Sequence, residues 1–326
     1  MGADAEPANG MRRVVLIYNP ASGQTFNHKT SVIDDVLAVL QDAGIEAKAV
    51  ATTAPGSAAA QVQESIERGC DAILACGGDG TVHEVLQTLA GGYTALGVVP
   101  LGTANALASD LGLPLSPVKA AKALLSATRV RVPAGRIFYR DSAGVGCSRY
   151  FTVAAGIGAD AHLMYRLDAK LKRRFGYALY AVEGLRVLVA HSFPQFEAVI
   201  VERANCEPRV ETVTQLLAVR IRNFGGMLQN FAPGAALRNE KLRLVAFRTR
   251  NKFDYVRFLT AVLFRRQTFT RKIQLLDAIS VECRAHEGSP ECLSVEADGE
   301  YLGGLPVRIE IVPDALTLLI PSQRKP

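Results

Sequence analysis

The chain has 326 residues, of which 49% are hydrophobic, and it carries a formal net charge of +6. This length favours two domains, and the apolar content excludes a disordered chain. No apolar run reaches the roughly 18 residues that a membrane-spanning helix needs. Residues 1–10 are small, polar and acidic. We expect them to form a disordered tail rather than a secretory signal peptide.

The first part of the chain alternates short apolar runs with segments of helical spacing. Strands are predicted at residues 14–18, 46–50, 72–76 and 96–99, and helices at residues 33–40, 57–67 and 81–89. Continuous apolar strands alternating with helices are typical of a sheet that is covered on both faces. This part therefore predicts an α/β domain with a doubly wound, mostly parallel sheet.

The pattern changes after about residue 133, where β-rich runs separated by turn residues begin. Predicted strands lie at residues 150–154, 197–202, 213–221, 241–247, 278–283 and 307–312. They favour a β-rich, sandwich-like second domain of antiparallel strands, interrupted by a basic helical segment at 161–190. A last apolar run, 316–320, is compatible with a strand that returns to the first domain, which the residues alone leave open.

The most informative stretch is Gly77-Gly78-Asp79-Gly80-Thr81, between a predicted strand and a predicted helix. Glycines let the backbone approach a ligand closely, and a helix N-terminus offers free N–H groups to phosphate oxygens. A carboxylate among those phosphates suits a Mg²⁺ ion, bound directly or through water. The alternative is a tight turn without a ligand.

Two more small-residue loops follow predicted strands, namely Asn19-Pro20-Ala21-Ser22-Gly23 and the segment 100–105. Ligands of open α/β sheets bind beyond the carboxyl ends of the strands, so we expect the three loops to converge. Each loop alone is an ordinary turn, whereas three at one edge favour a nucleotide pocket. The chain has no GxxxxGK[ST] sequence, which excludes a P-loop.

These motifs together resemble the diacylglycerol kinase catalytic family, which also contains the sphingosine and ceramide kinases. The matching stretches are residues 19–23, 77–85, 100–114, 156–161 and 298–300. The resemblance implies a fold like that of NAD kinase and diacylglycerol kinase, in which residues 11–133 and a returning strand, 314–321, form an ATP-binding domain. It also implies a β-rich lipid-substrate domain, 134–313, and an active site in the cleft between the domains.

The resemblance implies roles for individual residues. Contacts with Mg²⁺-ATP are expected from Asn19, Pro20, Ser22, Gly23, Thr52 (or its neighbour Thr53), Gly77, Gly78, Asp79, Gly80, Thr81, Glu84, Thr103 and Asn105. Glu300 resembles the proton acceptor, Asp298 a metal-binding or orienting partner, and Asp160 a contact of the lipid substrate. Asp79 and Asp298 are the expected metal ligands. A carboxylate is able to take a hydroxyl proton, although Asp298-Gly299-Glu300 alone is also an ordinary hairpin turn.

Two positions depart from the family pattern. Asn105-Ala106 stands where many members have Asn-Asp, and this run, with the segment 83–85, is more similar to the sphingosine kinases. The second departure is Asn239-Glu240, where some bacterial members have Asp-Gly within a structural Mg²⁺ site. With Ala236, Asn239 and Lys241 at the relevant positions, we do not expect this metal to bind.

The expected function is transfer of the γ-phosphoryl group of ATP to a lipid hydroxyl, with a diacylglycerol-like acceptor favoured. A sphingoid base or ceramide is the alternative acceptor, and a non-catalytic nucleotide- or lipid-binding protein is the alternative of another class. NAD kinases share the Gly-Gly-Asp-Gly-Thr loop, but nothing here resembles their second nucleotide motifs. The basic run 170–177 is compatible with docking on an anionic membrane, and a solvated helix end is the alternative. The expected location is the cytoplasm, peripheral at the inner membrane face. No nucleic-acid partner is expected, and the sequence leaves a homodimer open.

Overall fold

The computed structural model describes residues 10–20, 26–54, 56–159, 192–224, 231–264, 266, 269–286 and 293–322. The chain divides into two compact units, one formed by Met1–Val132 with Asp314–Pro326 and the other by Pro133–Pro313. Several predictions fall outside the described residues: nearly all of the tail 1–10, Ser22, Gly23, Asp160 and the basic segment 161–190.

The first unit contains a parallel sheet. Its strands are β1 (Arg13–Tyr18), β2 (Glu46–Ala51), β3 (Ala72–Gly77) and β4 (Ala95–Pro100), in the order β2-β1-β3-β4. Beyond β4 lies the end of the last strand, where Leu318 pairs in parallel with Leu96. Every residue of β3 and β4 is buried, as a parallel sheet covered on both faces requires. The predicted mostly parallel α/β fold is confirmed.

Helices follow the strands of this sheet. They are α1 (Phe26–Asp42), α2 (Ser57–Glu67), α3 (Asp79–Leu89), α4 (Ala106–Asp110) and α5 (Pro117–Leu124). In α3, Val82, Val85, Leu86 and Leu89 are buried, which is the 3- and 4-residue spacing of one helix face. The sheet therefore sets which face of α3 turns inward, and it brings the helix N-terminus to the end of β3.

The second unit consists mostly of strands. They are β5 (Thr128–Arg140), β6 (Gly146–Phe151), β7 (Ala154–Ile157), β8 (Phe196–Val201), β9 (Arg209–Val213), β10 (Gln215–Val219), β11 (Leu242–Phe247), β12 (Ile273–Ala278), β13 (Ser280–Ala285), β14 (Ser294–Ala297), β15 (Glu300–Gly304) and β16 (Val307–Ile320). One helix, α6 (Lys252–Leu263), follows β11. Strands β5 and β16 each have one end in the first unit.

The strands of the second unit pair in an antiparallel manner. One sheet has the order β12-β11-β10-β7-β14-β15. In the other sheet, β9, β8, β13 and the start of β16 are neighbours in that order. In β8, Phe196, Ala198 and Ile200 are buried and alternate with partly exposed residues, which is the period of a strand with one face on the core. The predicted β-rich second domain of the fold class is confirmed.

Several elements differ from the predictions. The predicted strand 150–154 is split into β6 and β7, because the backbone N–H groups of residues 152–154 donate to a side chain and not to a neighbouring strand. The two predicted runs 307–312 and 316–320 form one strand, β16, which continues through Pro313 and through Asp314 with its φ of 46°. The helix α6 was not predicted.

No helix in the described part of the chain is long and apolar enough to cross a bilayer.

The contact between Gly135 and Phe151 generates a prediction about stability. The two residues pair across β5 and β6, and a Cβ added to Gly135 would overlap the buried Phe151 ring. We expect Gly135→Ala to lower the free energy of unfolding by about 1–3 kcal/mol, measured by urea denaturation. Gly146→Ala is the control, because a Cβ there meets no atom within 4 Å. Equal unfolding midpoints for the two variants would contradict this packing.

Candidate active site

The loops that were predicted to bind nucleotide emerge at one edge of the first unit's sheet. Tyr18 at the end of β1 is aligned with Ala51 of β2 and Cys76 of β3, and Gly77 is aligned with Pro100 of β4. The backbone N–H of Thr52 donates to the Tyr18 carbonyl (2.8 Å), and that of Leu101 donates to the Gly77 carbonyl (2.9 Å). The predicted ATP contacts in the described part of the first unit thus lie at or just after the carboxyl ends of four neighbouring parallel strands, or in the first two turns of α3.

Two of these loops touch through their backbones. A Cβ added to Gly78 would lie 3.2 Å from the Cα of Gly102, and one added to Gly102 would overlap Gly78. A Cβ on Gly77 would overlap the buried side chain of Thr81. The glycines are therefore needed for close packing of the protein against itself. The sequence predicted the close approach of a ligand, with a tight turn as the alternative, and it did not predict this contact between two loops.

The carboxylate of Asp79 joins the same two loops. Its Oδ1 accepts the N–H of Ala106 at 2.7 Å, and its Oδ2 accepts the N–H of Asn105 at 3.1 Å. Asp79 begins α3 and Ala106 begins α4, so one side chain ties two helix starts together. An ionised carboxylate accepts hydrogen bonds through both of its oxygens, and each oxygen of Asp79 accepts one of these two backbone N–H groups.

Asn105 stabilises the loop after β4, to which it belongs, through hydrogen bonds of its own side chain. Its φ is 48°, a left-handed conformation that Asn tolerates better than most residues. Its Oδ1 accepts the N–H of Gly102 (2.9 Å), and its Nδ2 donates to the Gly102 carbonyl (2.8 Å). The residue is buried, and its amide is engaged with the protein. Its predicted contact with ATP stays a prediction, and the bracing role is one that sequence reasoning missed.

The start of α3 provides donors for an anion. Gly78 caps the helix without a side-chain hydrogen bond, and the first backbone bond runs from the N–H of Val82 to the Gly78 carbonyl (3.2 Å). Helix geometry leaves the N–H groups of residues 79–81 without partners inside the helix, and the macrodipole adds partial positive charge. Such an end binds phosphate oxygens well. Glu84 is half-buried in the next turn.

The second unit holds the other predicted carboxylates. Asp298 (φ 49°) and Gly299 (φ 83°) form the two-residue turn between β14 and β15, with the left-handed geometry that suits a hairpin. The Oδ1 of Asp298 accepts the N–H groups of Val153 (2.9 Å) and Ala154 (3.1 Å), and Oδ2 accepts that of Thr152 (3.0 Å). Asp298 therefore orients its turn against the break between β6 and β7.

Glu300 lies in a different environment from Asp298. It is the first residue of β15, and its side chain is exposed. Within the described part of the chain, no group lies within hydrogen-bond or ion-pair distance of its carboxylate. Asp298 is thus bound by three backbone N–H groups, whereas Glu300, at the end of the same turn, faces solvent. The Asp-Gly-Glu motif in the sequence does not reveal this difference.

Comparison with known proteins decides the family. The model for the diacylglycerol kinase catalytic domain matches residues 13–137, and that for the YegS C-terminal NAD kinase beta sandwich-like domain matches residues 152–320. The chain belongs to the diacylglycerol kinase family. The resemblance inferred from the motifs is confirmed, and the protein is a kinase.

Relatives and solved structures agree with this assignment. The diacylglycerol kinase of Bacillus subtilis (strain 168) is 29% identical, over 91% of this chain and 92% of the relative. That of Staphylococcus saprophyticus is 28% identical, over 90% and 91%. The crystal structure of a putative diacylglycerol kinase from Bacillus anthracis str. Sterne has a TM-score of 0.74 at 21% identity, covering 96% of this chain and 98% of that one, and shows the same fold.

The segment around Asn239, where some members of this family bind a structural Mg²⁺, is held by an arginine. Arg220 is fully buried, and burial lowers the pKa of its guanidinium to about 10. It donates to the carbonyls of Leu237 and Lys241, each at 2.7 Å, while the Asn239 amide donates to the Gly234 carbonyl (2.8 Å). A cation thus already lies against two carbonyls of this segment. Our expectation that Mg²⁺ does not bind here stays a prediction.

The first prediction from the site concerns Asp79. In Asp79→Asn, an amide NH₂ group replaces one of the two acceptor oxygens and faces the backbone N–H of Asn105 or Ala106. Two donors cannot form a hydrogen bond, so the connection between the loops after β3 and β4 is weakened. We expect kcat/KM to fall at least about 100-fold while the circular dichroism spectrum stays that of the parent. Asp35→Asn, at an exposed position in α1, is the control. Near-normal turnover of purified Asp79→Asn would rule out this role.

The second prediction separates bracing from metal binding at Asp298. Asp298→Asn places an NH₂ group against backbone N–H donors, so we expect the free energy of unfolding to fall by about 1–3 kcal/mol in chemical denaturation. Glu300→Gln, at the exposed end of the same turn, should unfold like the parent. Unchanged stability of Asp298→Asn together with a raised Mg²⁺ requirement for activity would instead assign Asp298 to the metal.

Proposed function

We propose that this protein is an ATP-dependent lipid kinase that transfers the γ-phosphoryl group to a lipid hydroxyl, with a diacylglycerol-like acceptor. The observation that carries the proposal is the joining of two glycine-containing loops by Asp79 at the sheet edge, beside the start of α3. Membership of the diacylglycerol kinase family and the names of the relatives support the acceptor class.

The nucleotide side of the reaction rests on the first unit. Donors at the start of α3 bind phosphate oxygens, and the contact between Gly78 and Gly102 keeps the loop backbones in place around them. Mg²⁺ is usually held by one or two carboxylates together with phosphates and water, and Asp79 is the carboxylate in the first turn of α3. When bound, Mg²⁺ neutralises charge on the phosphate oxygens.

The described residues contain no group of three or more metal-ligating side chains. The donor set around Asp79 therefore fits a Mg²⁺ ion that arrives with ATP and keeps most of its ligands from phosphate and water. The other predicted ATP contacts in the described loops, including Asn19, Thr52 and Thr103, belong to the same proposal.

The acceptor side rests on the turn that contains Glu300. As the lipid hydroxyl oxygen bonds to the γ-phosphorus, the bond from that phosphorus to the ADP oxygen breaks, and the hydroxyl proton passes to the Glu300 carboxylate. Exposure leaves both oxygens of this carboxylate accessible to a substrate. Asp298 contributes by holding the turn, because its three backbone hydrogen bonds limit the positions that Glu300 adopts.

The acceptor itself is tested by a substrate screen. Purified protein is incubated with labelled ATP and mixed vesicles that contain diacylglycerol, sphingosine, ceramide or monoacylglycerol. We expect the largest amount of labelled product with diacylglycerol. Product with sphingosine or ceramide alone would favour the alternative acceptor suggested by Asn105-Ala106. No product and no ATP consumption with any lipid would favour a non-catalytic binding protein. Peripheral action at the cytoplasmic membrane face belongs to the same proposal.

The catalytic prediction concerns Glu300. Glu300→Gln keeps the size and hydrogen bonding of the side chain but removes the proton acceptor, so we expect turnover to fall by about 10²–10⁴-fold. ATP affinity, measured by calorimetry, should stay within about twofold of the parent, because the binding energy is provided by the first unit. Glu207→Gln, at another exposed position of the second unit, is the matched control.

Two results would reverse or remove this assignment. Normal turnover of Glu300→Gln, with a stable but inactive Asp298→Asn of unchanged ATP affinity, would make Asp298 the proton acceptor. Normal turnover of both variants would show that neither carboxylate takes the proton.

A further inference from the structure

Helix α6 has two unlike faces. Asp254, Tyr255, Phe258 and Val262 are buried. On the other side, Phe253 is 82% exposed, and Phe264, which caps the C-terminus, is 72% exposed. Val256 and Leu259 are each 44% exposed, so four of the nine exposed large hydrophobic residues of the described chain lie on this one element. At 100° per residue these four fall within an arc of about 140° that contains none of the buried residues.

The inner face anchors the helix firmly. Tyr255 stacks on Phe247 with ring centroids 4.8 Å apart, and its hydroxyl forms a 2.8 Å hydrogen bond with the hydroxyl of Thr214. Phe258 packs edge-on against the Phe247 ring at 5.2 Å. At the N-terminus, the Asn251 side chain accepts the N–H of Phe253 at 3.0 Å. These contacts set the orientation of α6, so the outward position of its phenyl rings is a constant feature of the fold.

The charges around the exposed face are basic. Arg250, Lys252, Arg257, Arg266 and Arg271 are all exposed near the helix or its ends. The one acidic residue of α6, Asp254, hydrogen-bonds to Lys272, and this bond lowers the pKa of the Asp254 carboxyl, with a smaller contribution from the Thr249 hydroxyl. The carboxylate is thus compensated by Lys272, and the other described charged side chains of α6 and of the residues next to its ends are basic.

An apolar ridge with a basic border matches an anionic lipid bilayer. Interfacial helices bury their apolar side chains about 5–10 Å into the boundary between headgroups and acyl chains, while Lys and Arg remain at the phosphates. Each Lys or Arg near such a surface adds roughly 1 kcal/mol of attraction. A protein partner would have to compensate this cluster with acidic residues, whereas an anionic bilayer offers both an apolar layer and negative charge.

We propose that the outer face of α6, defined by Phe253, Val256, Leu259 and Phe264, inserts into the interface of anionic membranes and docks the second unit on the bilayer. None of these four residues belongs to the basic run 170–177 of the sequence. The reason for docking, access to a membrane-embedded acceptor, rests on the proposed function, but the binding itself does not require turnover.

The absence of tryptophan from the chain makes the first test direct. Phe253→Trp introduces a single tryptophan into the full-length protein, and its emission is excited separately from that of the tyrosines. We expect its emission to shift to shorter wavelength on addition of phosphatidylcholine–phosphatidylglycerol vesicles, and to be quenched by lipids with brominated acyl chains. Leu115→Trp, at a 63% exposed position of the first unit, should show neither effect. Unchanged emission from Phe253→Trp would overturn the proposal.

The second test measures vesicle binding by co-sedimentation. The double variant Phe253→Ser/Phe264→Ser should bind these vesicles about tenfold or more weakly than the parent, because two phenyl rings no longer enter the bilayer. The matched control Leu115→Ser/Val210→Ser removes two residues that are 63% and 59% exposed elsewhere, and it should bind like the parent. Equal binding of the two double variants would overturn the proposal.

Two further measurements separate membrane docking from self-association and from catalysis. A concentration-dependent blue shift of Phe253→Trp without lipid would assign the face to a second copy of this chain and overturn membrane docking. Turnover of a short-chain, water-dissolved diacylglycerol should be equal in parent and Phe253→Ser/Phe264→Ser. If the parent phosphorylates no lipid at all, the proposed function fails, while the vesicle measurements still decide the role of α6.

Discussion

The candidate nucleotide site depends on one carboxylate that is bonded to two backbone N–H groups. Asp79 begins α3 and holds Asn105 and Ala106, so the loop after β3 and the loop after β4 have a fixed separation. Asn105 continues the chain of contacts to Gly102, which packs directly on Gly78. Hydrogen bonds to a charged acceptor contribute about 1.5–3 kcal/mol, more than neutral ones, so this connection is a strong one. In the proposed function, the donors at the start of α3 bind phosphate only while that geometry is kept.

The second unit uses a carboxylate in the same way. Asp298 accepts three backbone N–H groups where β6 ends and β7 begins, and its neighbour Glu300 is left exposed. An acidic residue beside a catalytic candidate thus has a positioning function of its own. Loss of activity on mutation of Asp298 therefore says nothing about catalysis unless stability is measured as well.

In helix α6, the residues that pack on the core are separate from those that face solvent. Its aromatic inner face is part of the core next to β11, and this packing determines which side chains are turned to solvent. Because the inner contacts hold the helix, changes at Phe253 or Phe264 alter the surface without altering the core. The same separation exists at the turn after β14, where Asp298 is bound and Glu300 is accessible.

The amino-acid sequence by itself determined the fold class and the family. Residues 72–76 and 96–99 read as continuous apolar runs, and strands buried on both faces of a parallel sheet have that pattern. The small-residue loops after these strands were placed at one sheet edge, because parallel neighbours end together. The order of the motifs along nearly the whole chain identified the diacylglycerol kinase family, which is the information that local patterns carry best.

Tertiary structure alone decided what each of these side chains contacts. The break between β6 and β7 is due to Asp298, which lies 146 residues from Thr152, and no local periodicity contains such a partner. The roles of Asp79 and Asn105 in holding loops, and the cation that Arg220 places against Leu237 and Lys241, also depend on contacts between distant segments. The outward face of α6 is likewise set by packing, because the sequence 252–263 is apolar on both sides and only the core next to Phe247 selects which of them is buried.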